Sequence, residues 1–181
     1  MQLDPESVIN FWFFEIGPDR WFEKSAALDA SVRSQFQSFY EDARAGKLKK
    51  WQETPEGMLA TLLLLDVFPR RMFAGTAKAY ETDDEALELA REGIIKHFDD
   101  RIDRALKLLF YLPFAHSEHL SDQRLALFYI RERTKEPRWI EEAERRLDVI
   151  QRFGRFPHRN ALLGRPSTPE EESFLKTEKP L

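Results

Sequence analysis

The sequence predicts an all-α protein built from irregular antiparallel pairs of helices. In most of the chain, apolar residues recur at the three- and four-residue spacing of one helix face. The segments with this spacing begin at capping residues, often followed by Pro, and end at Gly or Pro. No segment alternates polar and β-branched residues, so no strand is predicted. The short connections favour helices that run antiparallel to their neighbours.

The first predicted helix covers residues 7–15 and starts at Asp4-Pro5-Glu6. The Asp caps the helix, and the missing N–H of the Pro costs no hydrogen bond because the first N–H groups of a helix have no acceptor within it. Its apolar residues surround the helix axis, which predicts burial on more than one side. Gly17-Pro18 ends the helix. Trp21 and Phe22 follow in a loop, where we expect them to fill a groove.

Two longer helices follow. Asp29 opens the second, and its inward face carries apolar residues at helical spacing: Val32, Phe36, Phe39, Tyr40 and Ala43. Thr54-Pro55-Glu56 opens the third, which is almost entirely apolar over residues 58–65 and is therefore expected to be central. Because Pro69 disfavours helical backbone at the preceding residue, we expect this helix to end at Phe68. Residues 70–76 are predicted to be irregular.

The middle of the chain contains two more predicted helices. Thr82 or Asp83 caps the first of them. The next begins near Ile102 and is expected to stop at Pro113. The residues after this proline, 114–120, are therefore predicted to form a loop or a distorted turn.

Three helices complete the prediction. Ser121 caps one, and Pro137 begins the last long helix, which Gly154 terminates. Thr168-Pro169-Glu170-Glu171 is a further cap signal and predicts a short helix through Leu175.

Length and composition favour one soluble globular domain over residues 1–181, with residues 176–181 as a flexible tail. Hydrophobic residues make up 42% of the chain and charged residues 33%. Fifteen Phe and four Trp need wide apolar contacts, so a well-packed interior is expected.

Composition also excludes several functions. The chain has no Cys, which removes disulfides and thiolate chemistry and fits a reducing cytoplasm. A net charge of −4 and a pI near 5.7 give no general attraction for nucleic acid. The longest apolar runs, residues 11–14 and 62–65, are too short to cross a bilayer. We therefore expect a cytoplasmic protein with no nucleic-acid partner, no membrane partner and no cofactor.

Asp66 is the first candidate for a functional residue. It ends a nearly all-apolar helix, so its carboxylate is expected to be at least partly buried. Burying an unpaired carboxylate is unfavourable by several kcal/mol, which predicts a cationic partner. Because a guanidinium can donate to two carboxylate oxygens at once, the candidate partners are arginines: Arg70, Arg155 and Arg159.

A basic segment lies near the C-terminal end. No Asp or Glu occurs between Gln151 and Pro169, although the whole chain is net negative. Pro157 cannot lie inside a helix, so the segment is expected to be extended or turning. Its polar residues are Arg155, His158, Arg159 and Asn160. They predict either a pocket for a phosphate or carboxylate group, or arginines that neutralise Asp66 and Glu118 and fasten this loop to the helices.

Residues 116–122 contain side chains of the types that bind metals: His116, Glu118, His119 and Asp122. Their spacing matches no standard ligand motif. A hydrolytic metal site would also need His158 and Asp66 to converge on them in space. The alternative is that Glu118 pairs with an arginine and His119 faces solvent. No residue is assigned here as a metal ligand or as catalytic.

The chain resembles a bacterial family, domain of unknown function 924, nearly from end to end. The resemblance rests on Phe11-Trp12-Phe13, Arg20-Trp21-Phe22, residues 62–70, residues 112–118 with Asp122-Gln123, and residues 153–160 with Leu163-Gly164-Arg165. It implies a tetratricopeptide-like α-α superhelix and no assigned biochemical role. Val67 and Arg71 stand where the family usually has Gln and Asn, which implies altered specificity if those amides touch a ligand in relatives.

The leading functional hypothesis is a binding module for a small anionic ligand or an anionic group of a peptide. Its cleft would be formed by eight residues: Asp66, Arg70, His116, Glu118, Arg155, His158, Arg159 and Asn160. Asp66 and Glu118 would orient the arginines, and His158 would tune affinity near neutral pH. One alternative is a hydrolase that uses His116 or His158 with these carboxylates, with or without a metal. Another is a structural scaffold that binds a protein through exposed aromatic residues.

Overall fold

The computed structural model describes residues 4–21 and 23–177, and in these residues it contains helices and turns but no strand. The predicted all-α class is confirmed. The chain forms two compact units, one that ends at Pro113 and one that begins at Phe114. The single domain over residues 1–181 and the tetratricopeptide-like superhelix stay predictions.

The first unit contains helices α1 (Pro5–Asn10), α2 (Ala26–Arg44), α3 (Pro55–Leu62), α4 (Phe68–Met72) and α5 (Asp83–Ile95). A π-helical turn, Phe11–Ile16, continues α1, and a second, Leu63–Val67, joins α3 to α4. Helix α6 (Leu108–His116) includes the boundary between the units. The second unit contains α7 (Leu120–Tyr129), a π-helical turn (Ile130–Thr134), α8 (Pro137–Phe153), a 3₁₀ turn (Pro157–Arg159) and α9 (Pro169–Thr177).

The local cap signals account for most helix ends. The side chain of Asp4 accepts the N–H of Ser7 at 2.8 Å, and Thr54 caps α3 through the N–H of Gly57 at 3.1 Å. Gly154 ends α8 in the left-handed region, at φ 67°. The predicted start at Asp29 is wrong, because Ser25 caps α2 and the helix begins three residues earlier.

Pro69 does not end the third helix, so the predicted end at Phe68 is wrong. The missing N–H of this proline leaves the carbonyl of Leu65 without its usual donor four residues ahead. The hydroxyl of Thr82 donates to that carbonyl at 2.5 Å, which removes the penalty. The backbone therefore continues through the π-helical turn into α4, and the irregular segment begins at Phe73 instead of residue 70.

Pro113 also lies inside a helix. Because α6 extends to His116, the loop predicted over residues 114–120 is wrong for its first three residues. It is also wrong for Leu120, where α7 begins, so His119 and not Ser121 occupies the N-cap position of that helix. The helix predicted to begin near Ile102 starts instead at Leu108, after two 3₁₀ turns, Asp99–Arg101 and Arg104–Leu106.

The core of the first unit is an aromatic cluster around Phe68. Its ring lies 4.8 Å from that of Phe36, 5.4 Å from that of Trp12 and 6.2 Å from that of Phe11, between centroids. Helix α1 packs on α3, and α2 packs on α4. Trp21 is buried and donates its indole N–H to the carbonyl of Trp12 at 2.9 Å. Phe22, predicted to fill the same groove, lies outside the described residues.

Phe14 is an exception to the predicted burial of the apolar residues of the first helix. It lies in the π-helical turn that follows α1, and it is 74% exposed. Because a π-helical turn holds more residues than an α-helical turn, side chains within it depart from α-helical directions.

Arg71 ties α4 to the loop that precedes α2. Its guanidinium donates to the backbone carbonyls of Trp21 and Glu23, both at 2.5 Å, and contacts the carboxylate of Asp29 at 3.2 Å. One cation therefore satisfies several acceptors that would otherwise need water or another donor. These contacts explain how Arg71, which is larger than the Asn usual in the family and is charged, is accommodated at this position.

The second unit packs α7 against α8. One cluster of its apolar core is formed by Val149, Ile150, Phe156 and Phe174, with Phe153 packed against them. Of the tail expected over residues 176–181, Lys176 and Thr177 belong to α9, and residues 178–181 lie outside the described residues.

Candidate functional site

The eight predicted site residues divide between the two units. Asp66 and Arg70 belong to the first, and the other six belong to the second: His116, Glu118, Arg155, His158, Arg159 and Asn160. The convergence of all eight residues in one cleft stays a prediction.

Asp66 is 1% exposed, and its carboxylate lies 3.3 Å from Nη1 of Arg70. Arg70 also donates to both carboxylate oxygens of Asp83, at 2.8 Å each. Burial opposes the charge on Arg70, but the carboxylates of Asp66 and Asp83 raise the pKa of Arg70 above its ordinary value. The predicted burial of Asp66 and its pairing with Arg70 are confirmed, whereas Asp83 was not predicted as a partner.

Glu118 is held by Arg165 and by the backbone of the basic segment. Its two oxygens accept from Nη1 and Nη2 of Arg165 at 2.6 and 2.9 Å, and Oε1 also accepts the N–H of Phe156 at 2.7 Å. Partial burial alone would raise the pKa of Glu118, but the Arg165 and Phe156 donors lower this pKa below its ordinary value. Glu118 therefore stays ionised at neutral pH and fastens residues 156–165.

Arg155 forms a second pair of the same kind with Glu171. Its Nε and Nη2 donate to the two carboxylate oxygens at 2.6 and 2.8 Å. Chiefly because of these hydrogen bonds, and despite burial, the pKa of Glu171 falls to about 2. Oε2 of Glu171 also accepts the N–H of Thr168 at 2.8 Å, while the hydroxyl of Thr168 accepts the N–H of Glu171 at 3.2 Å. This reciprocal cap means that one carboxylate both starts α9 and binds Arg155.

Asn160 links these two pairs. Its side-chain oxygen accepts from Nε of Arg165 at 3.0 Å, and its amide nitrogen lies 3.3 Å from Oε2 of Glu171. Asn160 is fully buried, so its hydrogen-bonding capacity is spent within the segment. Arg155, Asn160, Arg165, Glu118 and Glu171 thus form one connected network, which we call the fastening network.

Arg159 is buried beside the fastening network. Its Nη2 donates to the carbonyl of His116 at 2.9 Å, and its guanidinium carbon lies 4.6 Å from the centroid of the Phe156 ring. The ring of His158 lies 5.6 Å from the same phenyl ring. His116 is buried and ends α6, so its carbonyl is available as the acceptor. Phe156 thereby anchors two of the predicted polar residues.

The turn between α6 and α7 is held by residues that were not predicted as site residues. The hydroxyl of Ser117 donates to the buried carboxylate of Asp122 at 2.7 Å. The amide of Gln123 donates to the carbonyls of Ala115 and Ser117 at 2.9 and 2.6 Å. His119 is exposed, as one of the two predicted alternatives required. Within residues 4–21 and 23–177, no three metal-ligating side chains lie close enough to hold an ion.

Residues 8–179 match the family described as bacterial protein of unknown function (DUF924). The chain belongs to the DUF924 family. A solved structure, that of the protein of unknown function ATU0120 from Agrobacterium tumefaciens, is similar over 96% of this chain and 97% of its own. The TM-score is 0.91 and the sequence identity is 38%. No curated protein matches the chain. The predicted family is therefore confirmed.

The outer face of α7 also departs from the expectation that aromatic residues form the core. Phe128 is 57% exposed, and Leu120, two turns earlier, is also exposed. Arg124 lies between them at i+4 spacing and forms no ion pair with any described residue. Arg131 follows one turn later and pairs with Glu144 at 2.5 Å. We call these four residues the α7 surface.

No helix within the described ranges has both the length and the apolar character needed to span a bilayer. This agrees with the short apolar runs noted in the sequence.

Proposed function

We propose that this DUF924 protein is a helical binding module that recognises an acidic peptide segment on the α7 surface. The observation that carries the proposal is the exposed ring of Phe128 beside the unpaired cation of Arg124 on one helix face. Large exposed aromatic side chains next to arginine are typical of the centres of protein interfaces.

The fastening network already occupies donors of two arginines in the basic segment, which makes this segment a weaker candidate than the α7 surface. Arg155 and Arg165 each bind a carboxylate through two hydrogen bonds, so an incoming anion could use those donors only by displacing Glu171 or Glu118. Truncating one partner of such a pair leaves the other charge unsatisfied, which is costly. The hydrogen bonds of these two arginines to Glu171 and Glu118 therefore favour a structural role.

The α7 surface offers what the fastening network lacks. Leu120, Arg124 and Phe128 lie at i, i+4 and i+8, so a partner helix or strand can contact all three. An apolar side chain of the partner would cover Phe128, and a carboxylate would meet the guanidinium of Arg124. The charge of Arg124 favours an acidic partner and disfavours a basic one.

The test is fluorescence anisotropy with a labelled synthetic peptide rich in Glu and Leu. We expect Phe128→Ala to weaken binding by about tenfold, as for a central aromatic contact. Arg124→Gln should weaken it by about threefold and reduce its salt dependence. Phe14→Ala and Lys49→Gln are the matched controls, because both residues are exposed and lie in the first unit. Failure of the peptide to bind, or equal affinity for Phe128→Ala and the wild type, would reject the proposal.

Anion binding at the basic segment is the second candidate, and one observation favours it. Among the described residues no acceptor bonds to Nη1 of Arg155, and the side chain is 27% exposed, so two donors remain for a phosphate or carboxylate group. A thermal-shift screen with phosphate, nucleotides and carboxylates tests it. The ligand-induced shift should disappear in Arg155→Ala and persist in Arg138→Ala; a shift that survives in both variants excludes this site.

The hydrolase alternative gains no support from Glu118. A general acid or base must exchange a proton near the working pH, whereas the pKa of Glu118 is lowered by Arg165 and Phe156. This alternative would be supported if the protein turned over a substrate and if His116→Ala abolished that turnover without loss of folding.

A further inference from the structure

We infer that a groove in the first unit binds a small organic ammonium ion. The groove lies between the α1 segment with its π-helical turn and helix α2, and it has a volume of about 430 Å³. This volume lies in the range of small-molecule sites, about 300–1,000 Å³. Neither the proposed peptide surface on α7 nor the fastening network contributes a residue to it.

Phenyl rings form the apolar wall of the groove: Phe11, Phe36 and Phe39. Phe11 and Phe36 are buried and contact each other, with ring centroids 4.8 Å apart, so their positions are fixed by the core. Phe39 is half-buried and follows Phe36 on the same face of α2. The faces of aromatic rings carry partial negative charge and attract cations.

The polar groups of the groove also favour a positively charged ligand. Glu15 contributes an exposed carboxylate that makes no ion pair within residues 4–21 and 23–177. Asn10 contributes a half-buried amide with no hydrogen bond to any residue in those ranges. The described lining contains no Lys or Arg. A primary ammonium group could donate to the Glu15 carboxylate and to the Asn10 side-chain oxygen.

The ligand class follows from the combination of these walls. Glu15 is the one carboxylate of the lining, and the other oxygen groups there, on Ser7, Asn10 and Gln35, are uncharged, which disfavours a bare divalent metal ion. An anion would meet Glu15 and the ring faces, which repel it. A primary ammonium ion with a short aryl or alkyl body places its charge at Glu15 and Asn10 and its apolar part against Phe11, Phe36 and Phe39.

The probe for this site is 2-phenylethylammonium, titrated into ¹⁵N-labelled protein and followed by amide chemical shifts. We expect saturable shifts in α1 and α2. Glu15→Gln should weaken binding by about threefold, the effect of removing one exposed ion pair. Glu56→Gln is the matched control, because Glu56 is an exposed glutamate of the same unit outside the groove.

A neutral probe of the same shape separates charge recognition from simple apolar burial. 2-Phenylethanol should bind more weakly than the ammonium ion, and Phe39→Leu should weaken the ammonium ion more than the alcohol. No saturable shift in the wild type, or equal affinity of the two probes, would overturn the inference. Folding of each variant is checked from its unfolding midpoint, and the outcome is independent of peptide binding on α7.

Discussion

Replacing Glu118 with Ala should destabilise the second unit more than any other single change in the turn between α6 and α7. The substitution removes both hydrogen bonds to Arg165, at 2.6 and 2.9 Å, and the acceptor for the N–H of Phe156, at 2.7 Å. It leaves a guanidinium that is three-quarters buried without its carboxylate. The damage is therefore both a lost attraction and an unsatisfied cation.

The magnitude follows from the kinds of bond that are lost. A hydrogen bond to a charged group contributes about 1.5–3 kcal/mol net. The three bonds share one carboxylate, and water reaches part of the pair, so their effects overlap and are partly screened. We expect a loss of about 3 kcal/mol for Glu118→Ala. Glu118→Gln keeps the acceptor for Phe156 and should lose about half as much.

Urea unfolding monitored by circular dichroism measures this change. Glu132→Ala is the matched control, because Glu132 is an exposed glutamate of the same unit with no ion pair to a described residue. We expect Glu132→Ala to change stability by less than about 0.5 kcal/mol. A loss for Glu118→Ala no larger than that of the control would show that the contacts of Glu118 are not stabilising.

Three further predictions concern other parts of the chain. The folded-state pKa of Glu171, about 2, lies below its ordinary value of 4.5, so its stabilising contribution is complete above about pH 4.5 and is lost as the pH falls towards 2. Glu171→Gln should therefore flatten the fall in stability over this interval, and urea unfolding across that range measures it. Arg71→Asn should remove the donors to Trp21 and Glu23 and speed amide hydrogen exchange in residues 20–29, with α5 unchanged as the internal control. Gly57→Ala should lower stability by more than about 2 kcal/mol, because the added Cβ would lie 2.0 Å from the carbonyl oxygen of Trp51, and a thermal midpoint that stays at the wild-type value would contradict this.

The sequence predicted those features that depend on residues close together in the chain. The caps at Thr54 and Thr168 use donors only three residues away, and Gly154 needs only its own backbone freedom. Even so, the capping glutamate Glu171 was missed as the partner of Arg155, although the Thr168-Pro169-Glu170-Glu171 pattern marked it as special.

Features that depend on distant residues could not be predicted in the same way. Whether Pro69 breaks a helix depends on a donor for the Leu65 carbonyl, and Thr82 supplies it from 17 positions along the chain. The partner of Glu118 is Arg165, which lies in the basic segment but was not among the predicted site residues. Charge and composition indicated that an arginine would pair with this acid, but only packing selects which one.

Exposure of aromatic residues was the least predictable property. Phe128 and Phe14 are apolar and occur at helical spacing like their buried neighbours, yet both side chains are exposed to solvent. Hydrophobic periodicity identifies a helix with confidence but does not distinguish a core face from a binding face. The exposed ring of Phe128 on the α7 surface could therefore not be predicted from the sequence pattern.

Amide hydrogen exchange in Arg155→Ala tests most directly whether the basic segment is a structural fastening. The measurement compares residues 168–177 with the same residues in Arg138→Ala, which removes an exposed arginine with no ion pair to a described residue. We expect faster exchange throughout α9 in Arg155→Ala, because Glu171 loses its two hydrogen bonds from the guanidinium of Arg155. Identical exchange in the two variants would show that α9 is held without this pair and that Arg155 is available for another role.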